Sequence, residues 1–247
     1  TQANLATLQK RGVVIAGPGT GRLASGLTGV GRLLETPELL GHISYAMGKN
    51  GDLAGKTVVV SAGGTMEAID PVRVITNHSS GKMGYALAEA ARDRGADVVL
   101  VTAPTSLPEP ALMKVVQVRT AEQMWQAIQS HLKKADALIM AAAVADYRPT
   151  EAADQKIKKA DDDLSISLAK TTDILKSAKG DFVRVGFAAE SQNLVENAKA
   201  KVGSKQLDLI VANDITAEGS GFGSDTNKVT LIDRELAVEE LPLLSKY

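Results

Sequence analysis

The chain has 247 residues, 28 Lys+Arg against 29 Asp+Glu, and a hydrophobic fraction of 44%, as expected for a globular protein of one or two domains. A formal net charge of −1 and only 3% aromatic residues argue against nucleic acid or an anionic membrane as a partner. The absence of cysteine excludes disulfides, cysteine-ligated zinc and cysteine nucleophiles, and it fits a cytoplasmic location.

No apolar run approaches the roughly 20 residues that span a bilayer, and the amino terminus lacks the pattern of a signal peptide. The chain begins with Thr rather than Met, which is typical of a fragment or a processed product. Within the first 50 residues, six glycines between positions 17 and 31 exclude a regular helix. Helical spacing of apolar residues follows over 33–48, and residues 49–55 are predicted to be a linker.

From Lys56 onward, short β-branched runs alternate with longer segments of helical spacing. The predicted strands are 57–61, 97–102, 115–118, 137–141, 165–168, 183–187, 209–211 and 229–232. The predicted helices are 82–94, 121–134, 172–179 and 193–201. This alternation predicts an α/β fold with an open, mostly parallel Rossmann-like sheet and helices on both faces.

Polar and small residues follow five of the predicted strands, at 61–65, 102–104, 141–147, 186–190 and 212–214. The carboxyl ends of parallel strands lie at one edge of a sheet, where open α/β folds bind their ligands. Small residues in any one of these loops could simply pack a strand against a helix. Their recurrence in five loops favours a ligand site at that edge.

The first strand is followed by an excursion of about 17 residues, where a βα loop commonly needs about 2–6. At its end, residues 79–81 offer hydroxyls and backbone N–H groups to an anion. The alternative is a simple helix cap followed by a solvated Lys82. The segment is not a Walker A loop, because Thr76 and Met83 stand where that motif needs Gly and Ser or Thr.

Three further features of the sequence each have more than one interpretation. Residues 19–24 match the degenerate GxGxxA pattern of an NAD(P)-dependent oxidoreductase, although glycines interrupt the helix that should follow. The lysines of 156–159 suit either a loop that binds a triphosphate or a solvated surface. Asp146, Glu190 and Asp214 are candidates for holding Mg²⁺ with phosphate, but they could equally cap backbone groups or pair with lysines.

Taken together, several motifs resemble one known family. Residues 61–84, SAGGTMEAIDPVRVITNHSSGKMG, are similar to the hallmark of bacterial phosphopantothenoylcysteine synthetases, and 142–147, 156–159, 186–190 and 212–214 match in the same order. The resemblance covers 51–247, which predicts a synthetase domain over that range. In bacteria this synthetase is usually the carboxy-terminal half of a bifunctional protein.

Residues 1–50 are similar to the end of the flavin-dependent decarboxylase that forms the other half, notably at 17–24 and 29–32. The decarboxylase's catalytic His segment, flavin-contacting loops and cysteine-bearing flap have no counterpart in this sequence. The resemblance therefore implies a decarboxylase remnant plus linker over 1–50, with neither FMN nor decarboxylase activity.

The resemblance implies a phosphopantothenate–cysteine ligase of coenzyme A biosynthesis. Its phosphopantothenate carboxylate attacks CTP to give an acyl-cytidylate and pyrophosphate, with Mg²⁺ on the triphosphate, and L-cysteine then displaces CMP to form the amide. It also implies a homodimer in which the lysine-rich loop can reach towards the partner's site. A nucleotide-binding module without turnover is the non-enzymatic alternative, and the presence of both Asn77 and Lys156 argues against it.

The family's motifs also imply roles for individual residues. Asn77 would hold the acyl intermediate and serve its conversion to the amide, and Lys156 would neutralise the nucleotide phosphates. The other nucleotide-binding residues would be Gly63, Gly64, Met140, Ala141, Ala142, Asp146, Thr172, Asp173, Ile174, Leu175, Phe187, Lys201 and Lys205. Substrate would also contact Ser79, Ser80, Lys82 and Ala143.

Overall fold

The computed structural model describes residues 1–159, 163–190, 192–214, 219–221 and 223–247. The helices are α1 (Gln2–Lys10), α2 (Thr36–Gly48), α3 (Lys82–Asp93), α4 (Ala121–Leu132), α5 (Ile174–Ser177) and α6 (Leu194–Lys205). The first strands are β1 (Gly19–Arg22), β2 (Thr28–Arg32), β3 (Thr57–Ala62), β4 (Met66–Ala68), β5 (Val74–Thr76), β6 (Asp97–Thr102), β7 (Lys114–Gln117) and β8 (Ala137–Met140). The later strands are β9 (Tyr147–Pro149), β10 (Leu168–Lys170), β11 (Val183–Glu190), β12 (Leu209–Asp214), β13 (Thr226–Asn227), β14 (Val229–Asp233), β15 (Val238–Glu240) and β16 (Leu244–Ser245).

An eight-stranded sheet forms the centre of the fold, in the order β15-β14-β12-β11-β8-β3-β6-β7. The six strands from β12 to β7 are parallel, whereas β14 and β15 add to one edge in antiparallel register. Parallel strands need crossover connections, which are usually helical, and α3, α4 and α6 supply three of them, whereas β6 reaches β7 through 103–113 without a helix. The predicted fold class, an open and mostly parallel α/β sheet, is confirmed.

Successive side chains of β3 point to opposite faces of the sheet and show which helix covers each face. Val58 and Val60 pack with Tyr85 of α3 on one face, and Val59 packs with Met124 of α4 on the other. All five side chains are buried, so β3 reads as a continuous apolar run because neither of its faces meets water.

Helix α3 lies unusually close to the sheet because of Gly84. A Cβ atom on Gly84 would lie 2.6 Å from the Cβ of Ala62 and 2.8 Å from the carbonyl oxygen of Ser61. Any side chain there would therefore push α3 away from β3. This contact places the amino terminus of α3 directly beside the end of β3, where the first polar loop begins.

Two predicted elements were wrong: one strand in its position and partner, and one helix in its length. The strand predicted at 165–168 is instead β10, which begins at Leu168 and pairs with β9 outside the central sheet. The helix predicted at 172–179 is a single turn, α5, opened by Asp173, whose side chain accepts from the N–H of Lys176. The apolar periodicity of short segments does not show which partner a segment will find.

The segment from α2 to β3 packs against α3. Helix α2 lies on α3, and Gly41 of α2 sits against the guanidinium of Arg92. The predicted linker at 49–55 is held to the end of α3, since Arg94 forms a two-pronged ion pair with Asp52 and its carbonyl accepts from the N–H of Leu53.

Residues 19–24, which match the dinucleotide pattern, begin in β1 and run into the turn of the antiparallel β1–β2 hairpin. The dinucleotide fingerprint needs a parallel strand before it and a helix amino terminus after it, and the hairpin offers neither. Across the described ranges, no helix has the length and apolar character needed to cross a membrane.

Candidate active site

A cavity of about 830 Å³ opens at the carboxyl ends of the central strands, within the size range of small-molecule sites. It lies where the sequence predicts it. The predicted site residues that line it are Asn77, Ser79, Ser80, Lys82, Met140, Ala141, Ala142, Ala143, Asp146, Thr172, Asp173, Ile174, Leu175, Phe187, Lys201 and Lys205.

Gly63 and Gly64 lie behind the cavity wall rather than in it. The carbonyl of Gly63 accepts from the N–H of Ala143, and Gly64 forms a parallel bridge with Ala143. Gly63 has φ +77°, and a Cβ there would lie 2.8 Å from the carbonyl oxygen of Ala103. The loop at 102–104, predicted to join the site, is absent from the cavity lining and instead packs behind this glycine.

Buried hydroxyls hold the loop that follows β8. The N–H of Ala142 donates to Oγ of Ser61 at 3.1 Å, and the N–H of Ala145 donates to Oγ1 of Thr65 at 2.8 Å. Ser61 and Thr65 are fully buried, so water does not compete for these bonds. The loop is thus fixed before any ligand arrives.

Asn77 joins the first polar loop to the loop after β8. Its Nδ2 donates to the carbonyl of Val144 at 3.1 Å, while the residue remains exposed on the cavity side. The preceding strand, β5, ends at Thr76, whose hydroxyl donates to the carbonyl of Thr65 at 2.8 Å. Asn77 therefore presents an amide to the cavity from a braced backbone.

The amino terminus of α3 forms another wall of the cavity. Gly81 caps the helix at φ +77°, and a Cβ there would lie 2.6 Å from Cγ2 of Thr105. The ammonium of Lys82 donates to Asp225 at 2.6 Å and to the carbonyl of Gly223 at 3.0 Å. Lys82 thus faces the chain segment that follows β12, and its interaction with Asp225 holds the pKa of that carboxyl below its usual value.

Lys201 and Lys205 of α6 both reach the cavity, and each is paired with an acid. Lys201 lies 2.5 Å from Glu190, and Lys205 lies 3.0 Å from Asp173. Partial burial opposes ionisation of Glu190, but hydrogen bonds from Lys201 and Asn197 outweigh it and lower its pKa. A nucleotide bound at this end would meet ammonium groups that are already paired.

Lys156 lies outside this cavity. It lines a second depression of about 740 Å³ together with Arg73, Ile157, Lys158, Lys159, Asp163 and Leu164. The structure therefore brings the predicted residues of the nucleotide and acyl ends together, but it does not bring Lys156 to them within one chain.

Further lining residues were not singled out individually from the sequence: His78, Tyr147, Lys170, Asn213, Gly221, Asn227 and Lys246. Tyr147 and Asn213 nevertheless lie in the segments 141–147 and 212–214, which the sequence placed at this edge. His78 and Tyr147 are adjacent to predicted site residues, so their position within the motifs could have identified them. Lys246 lies about 100 residues after Tyr147 and about 170 after His78 in sequence, and burial together with the charge of Lys82 lowers its pKa. Nothing in the local sequence around Lys246 predicts that contact.

The candidate Mg²⁺ carboxylates do not form a preassembled metal site. Among the described residues, no three His, Asp or Glu side chains cluster as metal ligands would. Asp146 lines the cavity, whereas Glu190 is engaged by Lys201. Of the three candidate carboxylates, Asp146 is the one that lines the cavity.

Comparison with known proteins gives the chain a family. Residues 53–247 match the family described as the DNA/pantothenate metabolism flavoprotein C-terminal domain. The chain belongs to this family. It is 44% identical over 252 residues to the coenzyme A biosynthesis bifunctional protein CoaBC of Vibrio vulnificus strain CMCP6, covering all of this chain and 62% of the relative.

The same protein of Bacillus subtilis strain 168 is 45% identical over 249 residues, covering 98% of this chain and 61% of the relative. The chain therefore spans less than two thirds of the length of these family members. A crystal structure of the C-terminal domain of a CoaBC protein superposes with a TM-score of 0.67 at 43% identity, covering 78% of this chain and 89% of that chain. This likeness includes the central sheet that carries the cavity.

Proposed function

We propose that this chain is a phosphopantothenate–cysteine ligase that acts in coenzyme A biosynthesis. The observation that carries the proposal is one cavity that gathers Asn77, the turn at 79–82 before α3 and the braced loop after β8. Its full-length relatives are named for coenzyme A biosynthesis, which agrees with the motifs on which the resemblance rests.

In the first step, a carboxylate oxygen of phosphopantothenate attacks the α-phosphorus of CTP. The bond to the β-phosphate breaks, pyrophosphate leaves, and an acyl-cytidylate forms. The contribution of the protein is to position the two reactants and to neutralise phosphate charge, which Lys156 would provide.

In the second step, the amine of cysteine attacks the acyl carbon. The carbon–oxygen bond to CMP breaks, and the amine gives up a proton as the amide forms. The Asn77 amide would hold the acyl intermediate, and its position at the junction of the two loops that bound the cavity supports this role. Cytidine would lie towards Phe187 and Asp146, where polar groups at its base edge would reject a purine.

Mg²⁺ would be held by the oxygens of the triphosphate, and it would supply charge neutralisation there. We further propose a homodimer and a cytoplasmic setting, as the resemblance implies. The hairpin position of residues 19–24 gives no support to the oxidoreductase alternative.

Pyrophosphate release from the purified chain tests the proposal. Phosphopantothenate and Mg²⁺ are supplied with CTP or with ATP, each with and without cysteine. We expect a burst of about one pyrophosphate per site with CTP alone, and steady turnover once cysteine is added.

Silence under all four conditions together with no CTP binding by calorimetry would contradict the proposed function. CTP binding without any pyrophosphate release would instead favour the non-catalytic nucleotide-binding module. Equal rates with ATP and CTP would contradict the proposed specificity alone.

A further inference from the structure

Glu190 ends β11, directly after the part of that strand that lines the cavity. The described lining includes Phe187, Ala188 and Ala189 but not Glu190. The Glu190 side chain is 14% exposed, whereas that of its partner Lys201 is 41% exposed. An ionised carboxylate this close to full burial needs hydrogen-bond partners within the protein.

One face of α6 supplies a partner for each oxygen of the Glu190 carboxylate. Oε1 accepts from the ammonium of Lys201 at 2.5 Å, and Oε2 accepts from Nδ2 of Asn197 at 3.0 Å. Asn197 and Lys201 are four residues apart, so they are neighbours on the helix surface. Nδ2 of Asn197 also donates to the carbonyl of Gln192 at 3.1 Å, which ties the first turns of α6 to the chain that leads into them.

The contact with Glu190 leaves Lys201 able to bind a ligand. Partial burial of Glu190 works against ionisation, but the hydrogen bonds from Lys201 and Asn197 outweigh it and hold the pKa of the carboxyl below its usual value. A carboxylate therefore faces the ammonium at neutral pH. An ammonium has three N–H donors, so the bond to Glu190 leaves two of them for other acceptors. Because Lys201 lines the cavity and Glu190 does not, a ligand can accept from Lys201 without displacing the carboxylate.

We propose that Glu190 is a positioning residue for nucleotide binding: it holds the ammonium of Lys201 at the cavity wall, and Asn197 in turn holds the carboxylate. The inference rests on the proposed function, since it assumes that Lys201 contacts CTP. A lysine side chain without a partner samples many rotamers and must lose that freedom when it binds a ligand. The contact with Glu190 removes part of this freedom before the nucleotide arrives, which favours binding.

Calorimetry and steady-state kinetics of Glu190→Gln test this role. Glutamine keeps the size of the side chain but removes its charge, and it has one acceptor oxygen where glutamate has two, so it cannot accept from Lys201 and Asn197 through separate oxygens. We expect the Kd and the KM for CTP to rise about 10-fold, as for the loss of one charge-assisted hydrogen bond. The kcat at saturating CTP and the KM for phosphopantothenate are expected to stay unchanged, because only nucleotide binding is affected.

Glu196→Gln is the matched control. It makes the same substitution at an exposed carboxylate in the first turn of α6, and it should leave the Kd for CTP unchanged. In a Lys201→Ala background, Glu190→Gln is expected to cause no additional loss of CTP affinity, because the two changes remove the same contribution.

Asn197→Ala gives a second, independent test of the same arrangement. Asn197 is exposed, and alanine has a higher helix propensity than asparagine, so the substitution does not weaken α6 itself. We expect a smaller loss of CTP affinity than in Glu190→Gln, because the carboxylate keeps its bond to Lys201 but loses its own support. The kcat is again expected to stay unchanged.

Unchanged or tighter CTP binding by Glu190→Gln would overturn the proposal, as would an equal loss in Glu196→Gln or independent, multiplicative losses from Glu190→Gln and Lys201→Ala. Should Glu190→Gln fail to fold, Asn197→Ala decides, and normal CTP affinity in that variant would overturn the proposal. A parent chain that binds no CTP would refute the proposed function itself. Acylation of Lys201 by an amine-directed reagent, located by mass spectrometry, would then still show by a faster rate in Glu190→Gln whether the carboxylate holds this lysine.

Discussion

Asn77 shows how a single side chain can link two loops and still face the cavity. Its Nδ2 donates to the carbonyl of Val144, so the amide is oriented by a group from a loop 67 residues further along the chain. A carboxylate at this position cannot donate that bond. It would also place a negative charge beside an anionic acyl-cytidylate.

We expect Asn77→Asp to release about one pyrophosphate per site but to form the amide about 100-fold or more slowly, as when a single stabilising donor is lost from an active site. Quenched-flow measurement of pyrophosphate and amide in the same reaction would check this. The matched control is Asn50→Asp, in the exposed turn before β3, which should behave as the parent chain. A normal amide yield from Asn77→Asp would contradict the role proposed for Asn77.

At the scale of elements, two helical glycines differ in what surrounds them. Gly84 of α3 has backbone and Cβ atoms of β3 within 3 Å of where a side chain would begin, whereas Gly203 of α6 faces open space. Contact with β3 therefore sets the position of α3, and with it the cavity wall at 79–82. No comparable constraint acts at the end of α6.

We expect Gly84→Ala to lower the free energy of unfolding by about 1–3 kcal/mol, because α3 must move away from β3. Gly203→Ala should raise it by about 0.5–1 kcal/mol, since alanine favours helix and meets no clash. Urea denaturation followed by circular dichroism would measure both. Equal effects of the same sign would show that α3 is not closely packed on β3.

The start of β3 is held by a carboxylate at the end of the sheet opposite the cavity. Asp136, just before β8, accepts from the N–H of Thr57 at 2.8 Å and from the ammonium of Lys56 at 3.0 Å. These bonds, led by the one from Thr57, hold the pKa of Asp136 below its usual value of 3.8. The ionised form is therefore bound more strongly in the folded state than in the unfolded chain.

The sign of the pH dependence follows from this lowered pKa. Stabilisation by Asp136 is complete above pH 3.8 and is lost as pH falls through the lower value of the folded state. The Tm gap between the parent chain and Asp136→Asn should be largest at about pH 6 and should shrink as the pH falls below 3.8. Asp97→Asn, exposed at the start of β6, is the control; a gap that persists undiminished in acid would refute the assignment.

At the scale of the whole molecule, the position of Lys156 raises the question of which cavity it serves. Lys156 lines a depression separate from the cavity that Asn77 lines in the same chain. In the expected homodimer, the loop that carries Lys156 in one copy could reach the cavity of the other copy. An experiment that mixes two variant subunits can show whether Lys156 acts in the cavity of its own chain or in that of the partner.

We expect Asn77→Asp and Lys156→Gln chains, each inactive in amide formation, to recover about a quarter of the parent activity when unfolded together and refolded as randomly mixed symmetric dimers. Only mixed dimers would hold one site with both residues intact. Analytical ultracentrifugation checks that dimers form. Mixed dimers without activity would show that Lys156 serves its own chain or has no such role, and a monomer would contradict the expected dimer.

The sequence by itself determined the alternation of β3, α3, β6 and α4, because apolar periodicity and turn residues act over short distances along the chain. It also determined which motifs belong together, and the family assignment over 53–247 agrees with them. It did not place β10, because a short strand takes its identity from its partner, here β9. Contacts such as Asp70 with Ile157 or Lys82 with Asp225 join residues about 90 to 140 positions apart. Only the tertiary structure decides such contacts, because they depend on how the loops of a parallel sheet converge in space.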